Sequence, residues 1–124
     1  MNTPDHIDIL EKDSIFVFGS NMNGSHGGGA ALKALEFGAV DRQYYGLQGQ
    51  SFAIPTLDRK YQKLPLLVIH QFLELFTWEA YRMPEKIFFL TKIGLGIAGF
   101  SLKEIKSILP KFPKNVVLPI EFEK

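Results

Sequence analysis

The sequence predicts an α/β fold in which a mostly parallel, twisted sheet carries helices on both faces, as a three-layer sandwich. Continuous apolar runs, typical of strands that are buried on both faces, occur at residues 14–18 and 86–91. These runs alternate along the chain with helix-like segments, which favours parallel strands joined by helical crossovers. A glycine-rich loop follows each run and precedes a helix, as expected where a crossover leaves a parallel sheet.

The first half of the chain is predicted to run from strand through loop and helix to a second strand. After the strand at 14–18, small helix-forming residues indicate a short helix over 29–37, which Gly38 ends. Residues 39–50 carry glycine and polar turn residues and are predicted to be an irregular loop. The second strand is expected over residues 51–54, stopped by the proline that follows.

The second half is predicted to contain two helices and two strands. A polar loop leads into a long helix over residues 64–82, with a proline in its first turn and apolar residues at three-to-four spacing. The third strand, at 86–91, is followed by the second glycine-rich loop. Ser101 and Glu104 form a capping-box pattern that starts the last helix, and residues 115–118 form the last strand.

Composition limits the classes of function. The 124 residues are 46% apolar without a break in composition, so one domain over residues 1–124 is expected. The 14 basic and 13 acidic residues give no net field that would attract nucleic acid or an anionic membrane. The chain has no cysteine, which excludes disulfides, thiolate metal sites and a cysteine nucleophile. No stretch reads as a signal peptide or a membrane span, so a soluble, cytoplasmic protein is expected.

The two glycine-rich loops, at residues 19–29 and 92–100, form the candidate functional site. Because both follow parallel strands, we expect them at the carboxyl edge of the sheet, where open α/β sheets bind ligands. Glycine lets the backbone approach an anion without a Cβ in the way, and helix starts there offer unpaired N–H groups. This arrangement predicts an extended ligand with phosphates, such as a dinucleotide or a nucleoside diphosphate sugar.

Two well-known phosphate motifs fit poorly. A Walker A loop ends in Gly-Lys-Ser/Thr, whereas the glycines at 27–29 lead into two alanines, so a lysine for the phosphates and a hydroxyl for magnesium are both missing. The dinucleotide pattern GxGxxG is present as Gly94, Gly96 and Gly99, between a strand and a helix. The chain that follows is too short for a second mononucleotide half, so this match to a Rossmann site is weak.

Three segments in order, VFGSNMNGSHGGGAALKAL, GQSFAIPT and IFFLTKIGLGIAGFSLKEI, resemble the macrodomain superfamily, and more closely a set of macro-like proteins of phages and bacteria. The resemblance covers residues 14–109. It implies a macrodomain-like fold that binds ADP-ribose or a related ligand. It also implies that the 94–100 loop wraps the diphosphate, with Phe100 near the distal ribose. By the same resemblance, Asn21 hydrogen-bonds that ribose and residues 27–30 contact the ligand from the other side.

The loops and the resemblance together predict one set of ligand-binding residues. These are Gly19, Ser20, Asn21, Asn23, His26, Gly27, Gly28, Gly29, Ala30, Thr56, Lys92, Gly94, Leu95, Gly96, Ile97, Ala98, Gly99 and Phe100. Asn21 and His26 are the candidate catalytic residues, because they could position a water for hydrolysis. No cofactor is predicted, and no metal site either, since the three histidines are scattered and lie outside any acidic cluster.

Each candidate has a structural alternative. The glycines can serve only a tight strand-to-helix turn, and Asn21 can cap such a turn, since asparagine tolerates left-handed backbone. His26 is interpreted as a solvent-exposed turn residue, with a phosphate donor or acid–base group as the alternative. Asp58 and Arg59 are interpreted as a solvated loop pair rather than as ligand contacts. Lys92 either neutralises a diphosphate or extends from the sheet edge into solvent.

Three functions therefore compete. The preferred one is binding of ADP-ribose or another nucleotide-derived signal through backbone N–H groups. The second is hydrolysis at the same site, removing ADP-ribose from a protein, a nucleic acid or an acetyl ester. The third is a non-enzymatic phage or mobile-element module that sequesters a signal nucleotide or binds a host protein, for which Phe72, Phe76, Trp78 and Tyr81 would offer an aromatic surface.

Overall fold

The computed structural model describes residues 1–123, and in this part of the chain it contains five strands and four α-helices. The elements are β1 (Ser14–Asn21), α1 (Gly29–Ala34) with a 3-10 turn (Leu35–Phe37), β2 (Gly46–Gln48), β3 (Ser51–Leu57), α2 (Leu66–Arg82), β4 (Ile87–Leu90), α3 (Leu102–Lys106), β5 (Val116–Val117) and α4 (Ile120–Glu123). The predicted α/β class is confirmed.

The five strands form one sheet in the order β2-β3-β1-β4-β5. The central strand β1 pairs in parallel with β3 on one side and with β4 on the other, and β4 pairs in parallel with β5. At the other edge, β2 pairs antiparallel with β3. The sheet is therefore mixed, and the prediction of a mostly parallel sheet is corrected.

The correction arises from β2, which lies inside the segment 39–50 that was predicted to be an irregular loop. After β2 the chain reverses direction at Gly49, whose φ of 60° suits glycine. β2 then pairs with β3, with Gly46 opposite Ala53 and Gln48 opposite Ser51. Its three residues carry little intrinsic strand preference, so pairing with β3 and not local sequence makes it a strand.

β3 is longer than predicted because it continues through Pro55 to Leu57. Proline lacks the N–H that a central strand donates, and it is therefore confined to open edges and irregular positions. β2 pairs only with residues 51–53 of β3, so that side of β3 is open at Pro55. The extension carries Thr56 beyond the centre of the sheet to its carboxyl edge, where the candidate site lies.

Side chains alternate across β1, and each face is buried in a different apolar cluster. Ile15 and Val17 belong to a large cluster with α2, which contributes residues such as Phe76. Phe16 and Phe18 belong to a smaller cluster with the alanines of α1. This double burial explains the continuous apolar run of the strand. The three-layer, macrodomain-like architecture itself stays a prediction.

The long helix α2 begins after Pro65 and runs to Arg82, close to its predicted bounds. Its Phe76 is fully buried and Phe72 packs, partly buried, against the large cluster. Of the four residues considered as an aromatic surface for a protein partner, Trp78 and Tyr81 are exposed. Within residues 1–123, no helix has the length and apolar character needed to cross a membrane.

The capping box before α3 is confirmed. The backbone N–H of Glu104 donates to the Ser101 hydroxyl (3.1 Å), and the backbone N–H of Ser101 donates to the Glu104 carboxylate (2.9 Å). The bond from the Ser101 backbone N–H holds the pKa of Glu104 below its ordinary value, since it favours the charged carboxylate. The capping box fixes the point at which the second glycine-rich loop ends.

Phe76 is the centre of the aromatic core, where its ring packs against Phe52, Phe88 and Phe112. We expect Phe76→Ala to lower the free energy of unfolding by about 3–5 kcal/mol, because it removes a buried ring and leaves a cavity. Urea denaturation followed by circular dichroism measures this change. Trp78→Ala, on the exposed side of the same helix, is the control and should lower the free energy of unfolding by less than about 0.5 kcal/mol. Equal losses for the two variants would contradict this packing.

Candidate functional site

The two glycine-rich loops lie side by side at one edge of the sheet. β1, β3 and β4 run parallel, so the segments that follow them all leave the same edge. A cavity of about 370 Å3 lies between the loops, and we call it the first cavity. The structure places these predicted residues along it: Gly19, Ser20, Asn21, Gly27, Gly28, Gly29, Ala30, Thr56, Lys92, Gly94, Gly96, Ile97 and Ala98.

The remaining predicted residues do not line the first cavity: Asn23, His26, Leu95, Gly99 and Phe100. Phe100 is buried in the large apolar cluster, so its ring serves the core. Asn23 is exposed, and its side chain donates to the Arg59 carbonyl (2.7 Å). Leu95 lines a neighbouring cavity instead.

Asn21 organises the first loop. Its side-chain oxygen accepts hydrogen bonds from the backbone N–H groups of Asn23 and Ser25, both at 3.1 Å. Its side-chain nitrogen donates to the Ser25 carbonyl at 2.8 Å. This is the asparagine turn that the sequence offered as the structural alternative. Asn21 lines the cavity, but its carbonyl oxygen is already used by the loop.

The polar side chains beside Asn21 are also engaged by the backbone. The Ser20 hydroxyl donates to the Tyr44 carbonyl (2.6 Å), and the Thr56 hydroxyl donates to the Ser20 carbonyl (3.3 Å). Both residues are buried. These bonds tie the end of β1 to its neighbours, so the hydrogens of both hydroxyls are used by the backbone and not by a ligand.

His26 lies beneath the first loop and is not exposed. It is only 2% accessible, and its ring meets the ring of Phe18 edge-on at 5.3 Å. Its Nε2 lies 2.9 Å from the Val40 carbonyl, which can only accept, so Nε2 carries the hydrogen. Its Nδ1 has no hydrogen-bond partner among residues 1–123. The interpretation of His26 as a solvent-exposed turn residue is therefore wrong, and the ring supports the loop from inside.

Backbone amides without a hydrogen-bond partner occur on both loops that line the first cavity. Within the described chain, the N–H groups of residues 27–30 donate to no other residue, and the same holds for residues 96–98. The first set lies on one glycine loop and the second set on the other. Unpaired N–H groups on residues that line a cavity favour an anionic ligand.

Glycine at two of these positions is not required by the fold. A Cβ on Gly27 or Gly96 would meet no atom within 4 Å, and neither residue has a left-handed φ. Gly94 differs, because its φ is 77° and a Cβ would lie 2.6 Å from Ile105 Cδ1. Gly94 is thus needed for packing, whereas the missing side chains of Gly27 and Gly96 leave open space beside the cavity.

The two loops approach each other through Ile97. A Cβ on Gly28 would lie 3.1 Å from Ile97 Cδ1, and one on Gly29 would lie 3.4 Å from the same atom. Ile97 is nevertheless 74% exposed. The side chain therefore reaches across from the second loop to the first at the solvent-facing rim of the cavity.

Lys92 lines the first cavity, but its charge is already paired. Its ammonium lies 3.1 Å from the Asp5 carboxylate and 3.2 Å from that of Glu121. These hydrogen bonds, that to Asp5 first, raise the pKa of Lys92. The pKa of Glu121 is lowered, chiefly by a backbone hydrogen bond at its own N–H and then by Lys92. Lys92 thus joins the N-terminal segment to α4 and is not a free counter-charge for a phosphate.

A second cavity of about 590 Å3 adjoins the first. The two share Gly29, Ala30, Thr91, Lys92 and Gly96 as lining residues. Residues 3–8 of the N-terminal segment bound the second cavity on its far side. The concave surface is therefore longer than the first cavity alone, and Gly29, Ala30 and Gly96 of the two loops line both cavities.

Sequence reasoning missed six residues that line the first cavity: Ser25, Ala31, Leu57, Tyr61, Thr91 and Ile93. Most of them adjoin predicted residues in the chain. Tyr61 does not, since it lies in the loop between β3 and α2 that was predicted only as polar. The topology could have indicated Tyr61, because its loop follows a strand parallel to β1 and therefore leaves the same edge of the sheet.

Asp58 and Arg59 do not line the first cavity. The Asp58 carboxylate accepts two backbone N–H bonds within its own turn.

Comparison of the chain with protein-family models, curated proteins and solved structures gives no match. Within residues 1–123, no group of three or more His, Cys, Asp or Glu side chains is placed to hold a metal ion.

Asn21 carries a testable structural role. Asn21→Ala removes three hydrogen bonds from a buried side chain, and we expect it to lower the free energy of unfolding by about 2 kcal/mol or more. Urea denaturation measures the loss, and amide exchange at Ser25 should become faster. Asn23→Ala removes one bond from an exposed side chain and should cost less than about 1 kcal/mol. If the two variants lose the same stability, Asn21 does not organise the loop.

Proposed function

We propose that the chain binds a nucleotide-derived ligand that carries a diphosphate, with ADP-ribose as the preferred candidate, between the two glycine-rich loops. One observation carries this proposal: unpaired backbone N–H groups of residues 27–30 and of residues 96–98 border the same cavity. The macrodomain-like, three-layer architecture and a cytoplasmic location belong to the same proposal.

The proposed recognition uses backbone rather than charged side chains. Lys92 is the one cationic side chain along the first cavity in the described chain, and two carboxylates already pair with it. A diphosphate spreads its charge over several oxygens, and each can accept from a fixed N–H group. Such a site needs no excess of basic residues, in agreement with 14 basic against 13 acidic residues in the chain.

The dimensions suit an extended ligand. The first cavity of about 370 Å3 lies within the ~300–1,000 Å3 range of small-molecule sites. The second cavity continues it past the shared residues. A diphosphate held at the loop amides would therefore have room for one group on either side, as a nucleotide joined to a further sugar requires.

Binding is supported better than hydrolysis. Asn21 and His26 were the candidate catalytic residues, but the Asn21 oxygen accepts two backbone bonds and His26 does not line the first cavity. A general acid or base must reach the proton it transfers, directly or through one water. In the described chain, Tyr61 and Lys92 are the titratable side chains along this cavity, and Lys92 is paired.

A thermal-shift panel with ADP-ribose, NAD, ADP and inorganic phosphate tests the proposal. Ligand at about 100 times its dissociation constant stabilises the folded chain by about 2.7 kcal/mol. For a chain of this length, that corresponds to a rise in Tm of roughly 10 °C. We expect ADP-ribose to give such a rise and inorganic phosphate at the same concentration to give a much smaller one.

Gly96→Leu is the matched variant, because a Cβ at this position would meet no atom within 4 Å and the side chain would extend from a residue that lines the cavity. We expect it to remove the shift with ADP-ribose while leaving the Tm of the free chain within about 2 °C of wild type. Gln71→Leu adds the same side chain on the exposed side of α2 and should keep the shift. An undiminished shift in Gly96→Leu would count against the site, and no shift in wild type with any nucleotide would count against the function.

A further inference from the structure

Tyr61 lines the first cavity in the part that the second cavity does not share. Asn21, Ser25 and Leu57 line the same part. Tyr61 is 56% exposed, so its ring is available to a ligand. Among the described residues along the first cavity, it is the one aromatic side chain. The proposed recognition of a diphosphate by backbone amides gives this residue no role.

The backbone at Tyr61 is left-handed, with a φ of 61°, which tyrosine rarely adopts. A compact turn imposes this conformation. The N–H of Tyr61 donates to the Asp58 carbonyl (3.1 Å), and the Asp58 carboxylate accepts from the N–H groups of Lys60 (2.8 Å) and Gln62 (2.9 Å). Glycine or asparagine would fit the same turn without strain. The turn by itself therefore does not account for a tyrosine at this position.

The turn is attached to the first glycine-rich loop. The Asn23 side chain donates to the Arg59 carbonyl (2.7 Å), and the N–H of Met22 donates to the Leu57 carbonyl (2.9 Å). These bonds fix the backbone of Tyr61 relative to the loop that carries the amides of residues 27–30. A ligand held at those amides would therefore meet Tyr61 at a set position.

From this placement we infer that Tyr61 stacks on the planar heterocycle of the ligand, either a nucleobase or a comparable ring joined to the diphosphate. The inference rests on the proposed function and deepens it, since it assigns a residue of this chain to the aromatic ring that the diphosphate bears. A tyrosine face offers offset stacking to such a ring and is tolerant of its identity. The loop amides would hold the diphosphate, and Tyr61 would select what is attached to it.

Isothermal titration calorimetry with ADP, NAD and pyrophosphate tests the inference, because pyrophosphate has the diphosphate without a ring. Tyr61→Asn removes the ring with a residue that tolerates the left-handed turn, and Tyr61→Phe keeps the ring. We expect Tyr61→Asn to weaken the binding of ADP and NAD about tenfold and to leave the affinity for pyrophosphate unchanged. Tyr61→Phe should bind all three as wild type does. Tyr81→Asn alters an exposed tyrosine on α2 and should change nothing.

Two results would overturn the inference: Tyr61→Asn binds ADP and NAD as tightly as wild type, or it loses the same factor for pyrophosphate. The second result would mean that Tyr61 supports the conformation of the loop and does not contact the ring of the ligand. In both cases the proposed function stands if wild type binds these ligands and Gly96→Leu does not. A wild-type chain that binds none of the three probes overturns the inference, and the proposed function falls with it only if ADP-ribose also gives no thermal shift.

Discussion

Parallel pairing of β1 with both β3 and β4 is the constraint on which the candidate site depends. It directs the carboxyl ends of three adjacent strands to one edge, so that two glycine-rich loops and the Tyr61 turn meet there. β1 is held in this place by apolar side chains on both faces, with Ile15 and Val17 in one cluster and Phe16 and Phe18 in the other. β1 thus contributes side chains to both apolar clusters and also places the candidate site at its carboxyl end.

The polar side chains at this edge shape the loops, and the backbone is left to face the cavity. Asn21 and Ser20 bond to main-chain atoms, His26 supports the first loop from beneath, and Lys92 is held by two carboxylates. A series of amides near small residues remains unpaired along the cavity. A site of this kind is preorganised, because the groups that would meet an anion are fixed by the fold before the anion arrives.

Local pattern was enough to predict the presence of the buried strands, the long helix, the capping box and both glycine-rich loops, since each depends on neighbours in the chain. The predicted end of the first strand at residue 18 was wrong, because β1 continues to Asn21 through its pairing with β3. β2 was missed because its strand character comes from pairing with β3. The continuation of β3 through Pro55 depends on an edge that β2 leaves open, which no local rule reveals. In the site, the burial of His26 depends on Val40, fourteen residues away along the chain, and on Phe18. Tyr61 was missed because its position at the cavity follows from the parallel sheet and not from a glycine-rich motif.

The central claim is that backbone amides of two separate loops hold one diphosphate. The most direct measurement is a titration of the isotope-labelled chain with ADP, following every backbone amide by nuclear magnetic resonance. The claim predicts that the largest shifts fall on the amides of residues 27–30 and residues 96–98 together, and that both sets titrate with one dissociation constant. Shifts confined to one loop, or centred on the exposed side of α2 while these amides stay unchanged, would contradict it.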